Sequence, residues 1–206
     1  GNGNDGSKVT VRNLLQHTGG LHNYVGKMPE LFLEEEFPNV RYRTYQPEQL
    51  VALAMREKPD FAPDEQWRYS NTGYILAGMV IERVTGNTWQ HEVRTRIVQP
   101  LGLRDTTLPG TSPFLPRPHA TAYERFPEKG LEADPNDPRY GRALDVTQYN
   151  PSWGGAAGDM ISTTEDGNKF LKALFGGKVL RPAQLAEMTK TVRAPDLDGG
   201  WPGAEY

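Results

Sequence analysis

The chain has 206 residues, a formal net charge of −3, 36% hydrophobic residues and no cysteine. Without cysteine there can be no disulfide, no thiolate metal ligand and no cysteine nucleophile. Lysine and arginine form no run or stripe, and the longest apolar stretch, residues 74–81, is far too short to cross a bilayer, so we expect no nucleic-acid partner and no transmembrane segment.

Helical patterns occupy the first part of the chain. A short helix is predicted over residues 11–17, with Thr10 as its N-cap and Gly19 as the left-handed residue behind it. A second helix begins at Pro47, a favoured first helical position, and is expected to continue until Pro59 stops it.

The most apolar helix is predicted over residues 71–84 and ends at Gly86. Apolar side chains lie on nearly all its sides, which indicates a central position in the fold. Those predicted to face inward are Ile75, Leu76, Met79, Val80 and Val84. Another helix follows Thr88 and ends before Pro100.

Residues 109–151 follow neither a helical nor a strand period and hold eight of the 17 prolines, so long loops with one or two short strands are predicted. A helix then begins behind Thr163 and Asp166, which stand at capping-box spacing. A last helix begins at Pro182. The side chains predicted to face inward on these two helices are Phe170, Leu171, Leu174, Phe175, Leu185 and Met188.

The strongest local signal for chemistry is the tripeptide Tyr69-Ser70-Asn71, directly ahead of the central helix. Tyr69 stands where its side chain can project into a cleft, and the amide of Asn71 can both donate and accept hydrogen bonds. Alone, the tripeptide is a weak signal, because serine and asparagine are ordinary capping residues.

Four sequence blocks together carry more information. They are VRNLLQHTGGL from position 11, YSNTGY from 69 with LAG from 76 and IERVTG from 81, PLGL from 100, and AAGDMIST from 156. In this order and spacing they resemble the penicillin-binding-protein-like serine hydrolases. The likeness is greatest to secreted D-Ala-D-Ala carboxypeptidases, with class C β-lactamases and related esterases nearby, and it extends over nearly the whole chain.

The resemblance implies a mainly α chain, the helical lobe of the α+β fold of β-lactamases and transpeptidases, forming a single domain over residues 1–206. It also implies a secreted or cell-envelope protein without a cofactor, acting on D-Ala-D-Ala peptides or β-lactams through an acyl-enzyme. Alternatives are an esterase of the same family, a non-catalytic module that binds cell-wall peptide or protein, and an unrelated helical domain.

Three motifs build the active site in this family: Ser-x-x-Lys, Tyr-x-Asn and a Lys/His-x-Gly triplet. The middle motif maps onto Tyr69 and Asn71. By resemblance, Tyr69 acts as general base and later protonates the leaving group, while Asn71 and the adjacent Ser70 bind substrate. Trp153 matches a tryptophan at the cleft rim, although packing under the following glycine loop is an equal alternative.

His17, Gly19 and Gly158 are predicted to be structural residues near the site. The tripeptide His17-Thr18-Gly19 matches the Lys/His-x-Gly pattern of the third motif, but it lies before Tyr69 in the sequence and at the end of a helix. By resemblance, residues 23–37 border the cleft, with Leu31 and Phe32 as possible apolar walls.

The first motif is absent from these 206 residues, since no lysine has a serine or threonine three positions before it. The resemblance places Ser-x-x-Lys upstream of the first block and the third motif beyond Tyr206. We therefore expect the chain alone to be inactive. Without the sheet that covers the helical lobe in this family, an apolar face would favour self-association.

No metal site is predicted. His22, His91 and His119 lack metal-ligand spacing, so zinc is not expected. Asp134, Asp137, Asp145 and the run Glu34-Glu35-Glu36 would hold Ca²⁺ only if their loops converged, and a solvated acidic surface is the preferred interpretation.

Overall fold

The computed structural model describes residues 2–126, 143–195 and 202–206. In these ranges the helices are α1 (Val11–Gln16), α2 (Phe37–Val40), α3 (Pro47–Ala54), α4 (Asn71–Thr85), α5 (Trp89–Val93), α6 (Thr164–Phe175) and α7 (Pro182–Met188), and the strands are β1 (Tyr123–Glu124) and β2 (Leu144–Asp145). The two strands pair antiparallel, with Tyr123 opposite Asp145. The predicted class, mainly α with a few short strands, is confirmed.

Helix α1 begins as predicted but ends differently. The Thr10 side chain accepts a hydrogen bond from the Asn13 N–H, and the Asn13 side chain accepts one from Thr10 in return. The left-handed residue at the end is His17 (φ 59°), so the prediction of Gly19 for this position was wrong. This turn lets the N–H groups of His17 and Thr18 both donate to the carbonyl of Asn13, which satisfies the helix end.

Helix α4 is central, as predicted, and packs against α1, α3 and α5. A Cβ added to Gly73 would lie 2.5 Å from the carbonyl oxygen of Leu14, so the backbones of α1 and α4 approach to a distance that only glycine permits. The helix ends at Gly86 in the left-handed conformation (φ 75°), as predicted.

Only part of the surface of α4 is covered. Ile75 is 2% exposed, but Val80 is 39% and Val84 is 74% exposed, so the inward prediction was wrong for these two valines. The core around α4 forms one cluster that also holds residues of α2, α3 and the loop before them. Its buried members are Tyr24, Met28, Leu31, Val40, Tyr45, Leu50, Ala54 and Ile75.

Helix α3 is shorter than predicted, and helix α5 changes its helical form before it ends. Helix α3 ends at Ala54, several residues before Pro59. Helix α5 begins behind Thr88, whose hydroxyl accepts from the His91 N–H, and continues as a π-helical turn over Arg94–Val98.

Helix α6 begins behind Thr163, whose hydroxyl accepts a hydrogen bond from the Asp166 N–H. The Asp166 side chain does not complete the capping box. It accepts instead from the Asp105 N–H (2.8 Å) and the Thr106 hydroxyl (2.9 Å), and so ties α6 to the loop behind α5.

The apolar residues of α6 and α7 are less covered than predicted. Leu174 is buried, but Leu171 is 48%, Phe175 63% and Met188 59% exposed. The inward prediction was wrong for these three because, in the described part of the chain, no other helix packs closely on α6 or α7. Self-association through exposed apolar residues stays a prediction.

Candidate active site

Tyr69 and Asn71 lie together at the N-terminal end of α4. The Tyr69 hydroxyl donates to Asn71 Oδ1 at 3.3 Å, and Tyr69 is 47% exposed. Asn71 is half-buried, and its Nδ2 donates to Asn23 Oδ1 at 3.4 Å. The structure therefore brings a phenol and an amide to one solvent-accessible position, where both can contact the same ligand.

The ring of His17 packs directly on Tyr69, with their centroids 4.5 Å apart. His17 is 3% exposed, and its Nδ1 accepts a hydrogen bond from the Ser70 N–H at 3.3 Å. Burial lowers the pKa of His17, so the ring is neutral at pH 7 and carries its proton on Nε2. These contacts fit the predicted structural role better than a role in proton transfer.

Further aromatic rings surround His17. The centroid distances are 5.8 Å to Trp67, 5.4 Å to Tyr74 and 4.7 Å to Tyr206. Tyr74 also donates to the Leu15 carbonyl at 3.2 Å. This packing holds the end of α1 against the start of α4 and gives Tyr69 a rigid support on one side.

Asn23 and Tyr24 complete the site, and the sequence pattern did not single them out. Tyr24 is fully buried, and its hydroxyl donates to the Trp153 carbonyl at 2.6 Å. Its N–H donates to the Thr72 hydroxyl, which donates in turn to the His22 carbonyl at 2.7 Å. The sequence indicated this loop only through the prediction that residues 23–37 border the cleft.

The environment of Tyr24 keeps its hydroxyl protonated. Burial, with a smaller contribution from nearby Tyr69, raises the pKa of Tyr24 well above its usual range. Tyr24 is therefore a neutral hydrogen-bond donor at any physiological pH. Its hydroxyl supports the Trp153 backbone through this hydrogen bond.

Trp153 is half-buried, and its carbonyl accepts the hydrogen bond from Tyr24. Its ring stacks on Tyr149 (5.6 Å) and stands edge-on to Phe32 (6.1 Å). Phe32 is 40% exposed, whereas Leu31 is 1% exposed. Phe32 can thus form an apolar wall next to Trp153, but the same prediction for Leu31 was wrong because Leu31 belongs to the core.

Ser70 points away from this open position. It is 5% exposed, and its hydroxyl has no hydrogen-bond partner among the described residues. A buried hydroxyl cannot reach a ligand that contacts Tyr69, so the predicted substrate contact of Ser70 is not supported. Gly19 is buried beside Asn13, while Gly158 is exposed.

No group of three or more metal-ligating side chains occurs in the described ranges. His22 pairs with Asp60 at 3.0 Å. Asp134 and Asp137 lie outside the described residues. No helix in the described ranges is both long and apolar enough to span a membrane.

The family described as "Beta-lactamase" matches residues 1–206. The chain belongs to the β-lactamase family. The resemblance drawn from the four sequence blocks is confirmed, and so is membership of a family of hydrolases with the β-lactamase and penicillin-binding-protein fold.

Three relatives illustrate the range of this family. A D-stereospecific amidohydrolase from Streptomyces sp. is 42% identical with a TM-score of 0.88, covering 100% of this chain and 57% of that structure. The D-amino acid amidase from Ochrobactrum anthropi SV3, complexed with D-phenylalanine, is 34% identical with a TM-score of 0.71, covering 90% and 50%. Penicillin-binding protein 4* of Bacillus subtilis is 34% identical over 100 residues, 48% of this chain and 21% of that protein. The chain thus spans about half of each solved structure.

Proposed function

We propose that this β-lactamase family member supplies the Tyr-x-Asn part of a serine hydrolase that cleaves the amide bond behind a D-amino-acid carbonyl. The observation that carries the proposal is the pairing of the exposed Tyr69 hydroxyl with the Asn71 amide, 3.3 Å apart at the start of α4. The two structures of 42% and 34% identity, a D-stereospecific amidohydrolase and a D-amino acid amidase, support the stereochemistry.

In the proposed reaction Tyr69 reacts as the phenolate, which accepts the proton of a serine hydroxyl as the serine oxygen bonds to the substrate carbonyl carbon. Tyr69 then returns the proton to the leaving amine when the C–N bond breaks, and water later releases the acyl group from serine. Asn71 positions the substrate through its amide. The serine is expected in a Ser-x-x-Lys motif, which these 206 residues do not contain, so we assign activity to the full-length protein and none to this chain alone.

D-Ala-D-Ala peptides and β-lactams are the second candidate substrates. Penicillin-binding protein 4* of Bacillus subtilis is 34% identical over 100 residues, 48% of this chain, which supports them. A D-Ala-D-Ala peptide also presents an amide bond behind a D-residue, so the same arrangement of Tyr69 and Asn71 can serve both substrates. Action on a cell-wall substrate would require a secreted or cell-envelope location, and we include this location in the proposal.

The full-length protein should hydrolyse D-phenylalanine amide with a kcat/KM roughly tenfold or more above that for L-phenylalanine amide, because the two enantiomers present different groups to a site that fixes the carbonyl and the side chain. Release of ammonia from each amide measures the ratio. Equal rates for the enantiomers would contradict the proposal. If the protein hydrolysed p-nitrophenyl acetate but neither amide, it would be an esterase. If it bound a D-Ala-D-Ala peptide without hydrolysing it, it would be a binding module.

A further inference from the structure

Asn23 lies beside the proposed reaction centre, and the proposed hydrolase reaction gives it no part. It caps a short helical turn, Tyr24–Lys27. Its Oδ1 accepts one hydrogen bond from the Val25 N–H at 3.3 Å and another from Asn71 Nδ2 at 3.4 Å. One oxygen therefore connects the backbone of this loop to a residue of the Tyr-x-Asn motif.

The backbone around Asn23 is held on both sides by Thr72. The Thr72 hydroxyl accepts from the Tyr24 N–H at 3.2 Å and donates to the His22 carbonyl at 2.7 Å. Thr72 is fully buried in the first turn of α4, directly after Asn71. The two residues that flank Asn23 are thus fixed to the helical turn that carries Asn71, so the two amide side chains keep their relative position.

These contacts decide which way the Asn71 amide faces. A backbone N–H can only donate, so the atom of Asn23 that meets the Val25 N–H is the oxygen. The same oxygen faces Asn71, which must present its NH2 group to it. The Asn71 oxygen consequently lies on the other side of the amide, where it accepts from the Tyr69 hydroxyl at 3.3 Å. The Tyr69 hydroxyl alone would not select this orientation, because a phenol can donate or accept.

We propose that Asn23 is a positioning residue, whose oxygen holds the Asn71 amide with its own oxygen towards Tyr69 and its second Nδ2 hydrogen free for substrate. Within the described residues Asn71 Nδ2 makes no other hydrogen bond, so this hydrogen can donate to a carbonyl oxygen of the substrate. Without Asn23 the amide could rotate by half a turn, and the substrate carbonyl would then meet an oxygen. The proposal rests on the proposed hydrolase function, because Asn23 acts through Asn71.

Two variants of the full-length protein separate this role from the capping of the helical turn. Asn23→Ser keeps an oxygen that can accept from the Val25 N–H, but that oxygen stands one bond nearer the backbone and does not reach Asn71. Asn23→Asp keeps an acceptor for both donors. With D-phenylalanine amide, we expect Asn23→Ser to lose about 10- to 100-fold in kcat/KM, the order of loss that follows when a binding group is misplaced. Asn23→Asp should retain clearly more activity than Asn23→Ser.

The loss in Asn23→Ser should appear mainly as a higher KM. Asn71 binds the substrate in the ground state and in the transition state alike, and removal of such binding raises KM at nearly constant kcat. A defect in folding would instead lower kcat at unchanged KM, because fewer molecules would be active. A wild-type KM in Asn23→Ser, or equal losses in Asn23→Ser and Asn23→Asp, would overturn the proposal.

Nuclear magnetic resonance of the full-length protein gives a readout that does not need turnover. If Val25 and Asn71 donate to one oxygen, the Val25 N–H proton and an Asn71 Nδ2 proton lie close together. We therefore expect a nuclear Overhauser effect between them in the wild type and in Asn23→Asp, and its absence in the wild type would overturn the proposal. If the wild-type protein hydrolysed no D-amino-acid amide, the proposed function would fail, and this signal alone would decide whether Asn23 orients Asn71.

Discussion

Replacing Tyr69 by phenylalanine should lower kcat/KM of the full-length protein for a D-amino-acid amide by about 100- to 10,000-fold, the range typical of losing a general acid–base group. The expected loss has one cause. The substitution removes the phenolic oxygen, which in the proposed reaction accepts the serine proton as phenolate and returns it as phenol, while the ring can keep its packing on His17, 4.5 Å away between centroids.

The structure predicts little change in stability for Tyr69→Phe. The only hydrogen bond of that hydroxyl in the described part of the chain is the exposed one to Asn71, and exposed hydrogen bonds contribute little to the free energy of unfolding. Steady-state hydrolysis of D-phenylalanine amide, with circular dichroism for folding, measures both effects.

Tyr74→Phe is the matched control. The Tyr74 hydroxyl also lies near His17 but is bonded to the Leu15 carbonyl and to Tyr206, and it stands outside the Tyr-x-Asn motif. Its removal should leave kcat/KM nearly unchanged. If Tyr69→Phe kept wild-type activity, or if Tyr74→Phe lost as much, Tyr69 would not be the base.

Asp159→Asn is expected to raise the free energy of unfolding at pH 8, by up to about 4 kcal/mol. Burial, without a hydrogen-bond partner in the described residues, raises the pKa of Asp159 to about 7 in the folded protein, against about 3.9 in an unfolded chain. The folded state therefore binds one more proton than the unfolded state between these values, and stability falls as the pH rises from about 4 to 7. Three pKa units correspond to about 4 kcal/mol, and asparagine carries no charge that burial can penalise.

Urea unfolding at several pH values measures this difference. The gain from Asp159→Asn should be small near pH 4, grow towards pH 7 and stay constant above it. A variant less stable than the wild type at pH 8 would contradict the account of Asp159 as a buried, unpartnered carboxylate.

Asp166→Asn is the control with the opposite sign. Although burial opposes it, hydrogen bonds from the Asp105 N–H and the Thr106 hydroxyl, with Lys169 nearby, lower the pKa of Asp166. This carboxylate therefore stabilises the fold above the unfolded pKa, and its contribution is lost as the pH falls through the lower folded value. The substitution should destabilise the protein at neutral pH, whereas Asp159→Asn stabilises it.

Helix starts and the end of α4 could be predicted from the sequence because they depend on local chemistry. Thr10 and Thr163 cap their helices through hydroxyls that reach N–H groups three residues ahead, and Gly86 supplies a left-handed end without a steric penalty. The sequence did not predict that His17 is the left-handed residue at the end of α1. In this conformation the His17 ring packs among aromatic rings, and those rings come from residues distant in sequence.

Helical periodicity did not predict which apolar side chains are buried. Val84 and Phe175 follow the apolar pattern, yet they are 74% and 63% exposed, because periodicity identifies a face and neighbouring elements decide whether that face is buried. The burial of Asp159 is the converse case. Nothing in the surrounding sequence distinguishes it from a surface aspartate, and only the packing of the loop on α3 and α4 removes it from water.

Within the site, the motif predicted Tyr69 and Asn71 but not the direction of Ser70. Ser70 is in an extended conformation (φ −147°, ψ 119°), and successive side chains of extended backbone point to opposite sides. Tyr69 thus faces solvent while Ser70 faces the interior. Asn23 and Tyr24 reach the site through hydrogen bonds to Asn71 and Trp153, and contacts over such sequence separations leave no local signature.

Covalent labelling with a fluorescent penicillin, followed by intact-mass measurement and peptide mapping, tests most directly whether Tyr69 and Asn71 serve a serine nucleophile outside these 206 residues. The account predicts one label on the serine of a Ser-x-x-Lys motif in the full-length protein, much slower labelling of its Tyr69→Phe variant, and no label on the 206-residue chain alone. A label on the isolated chain, or on a serine within it, would contradict the account.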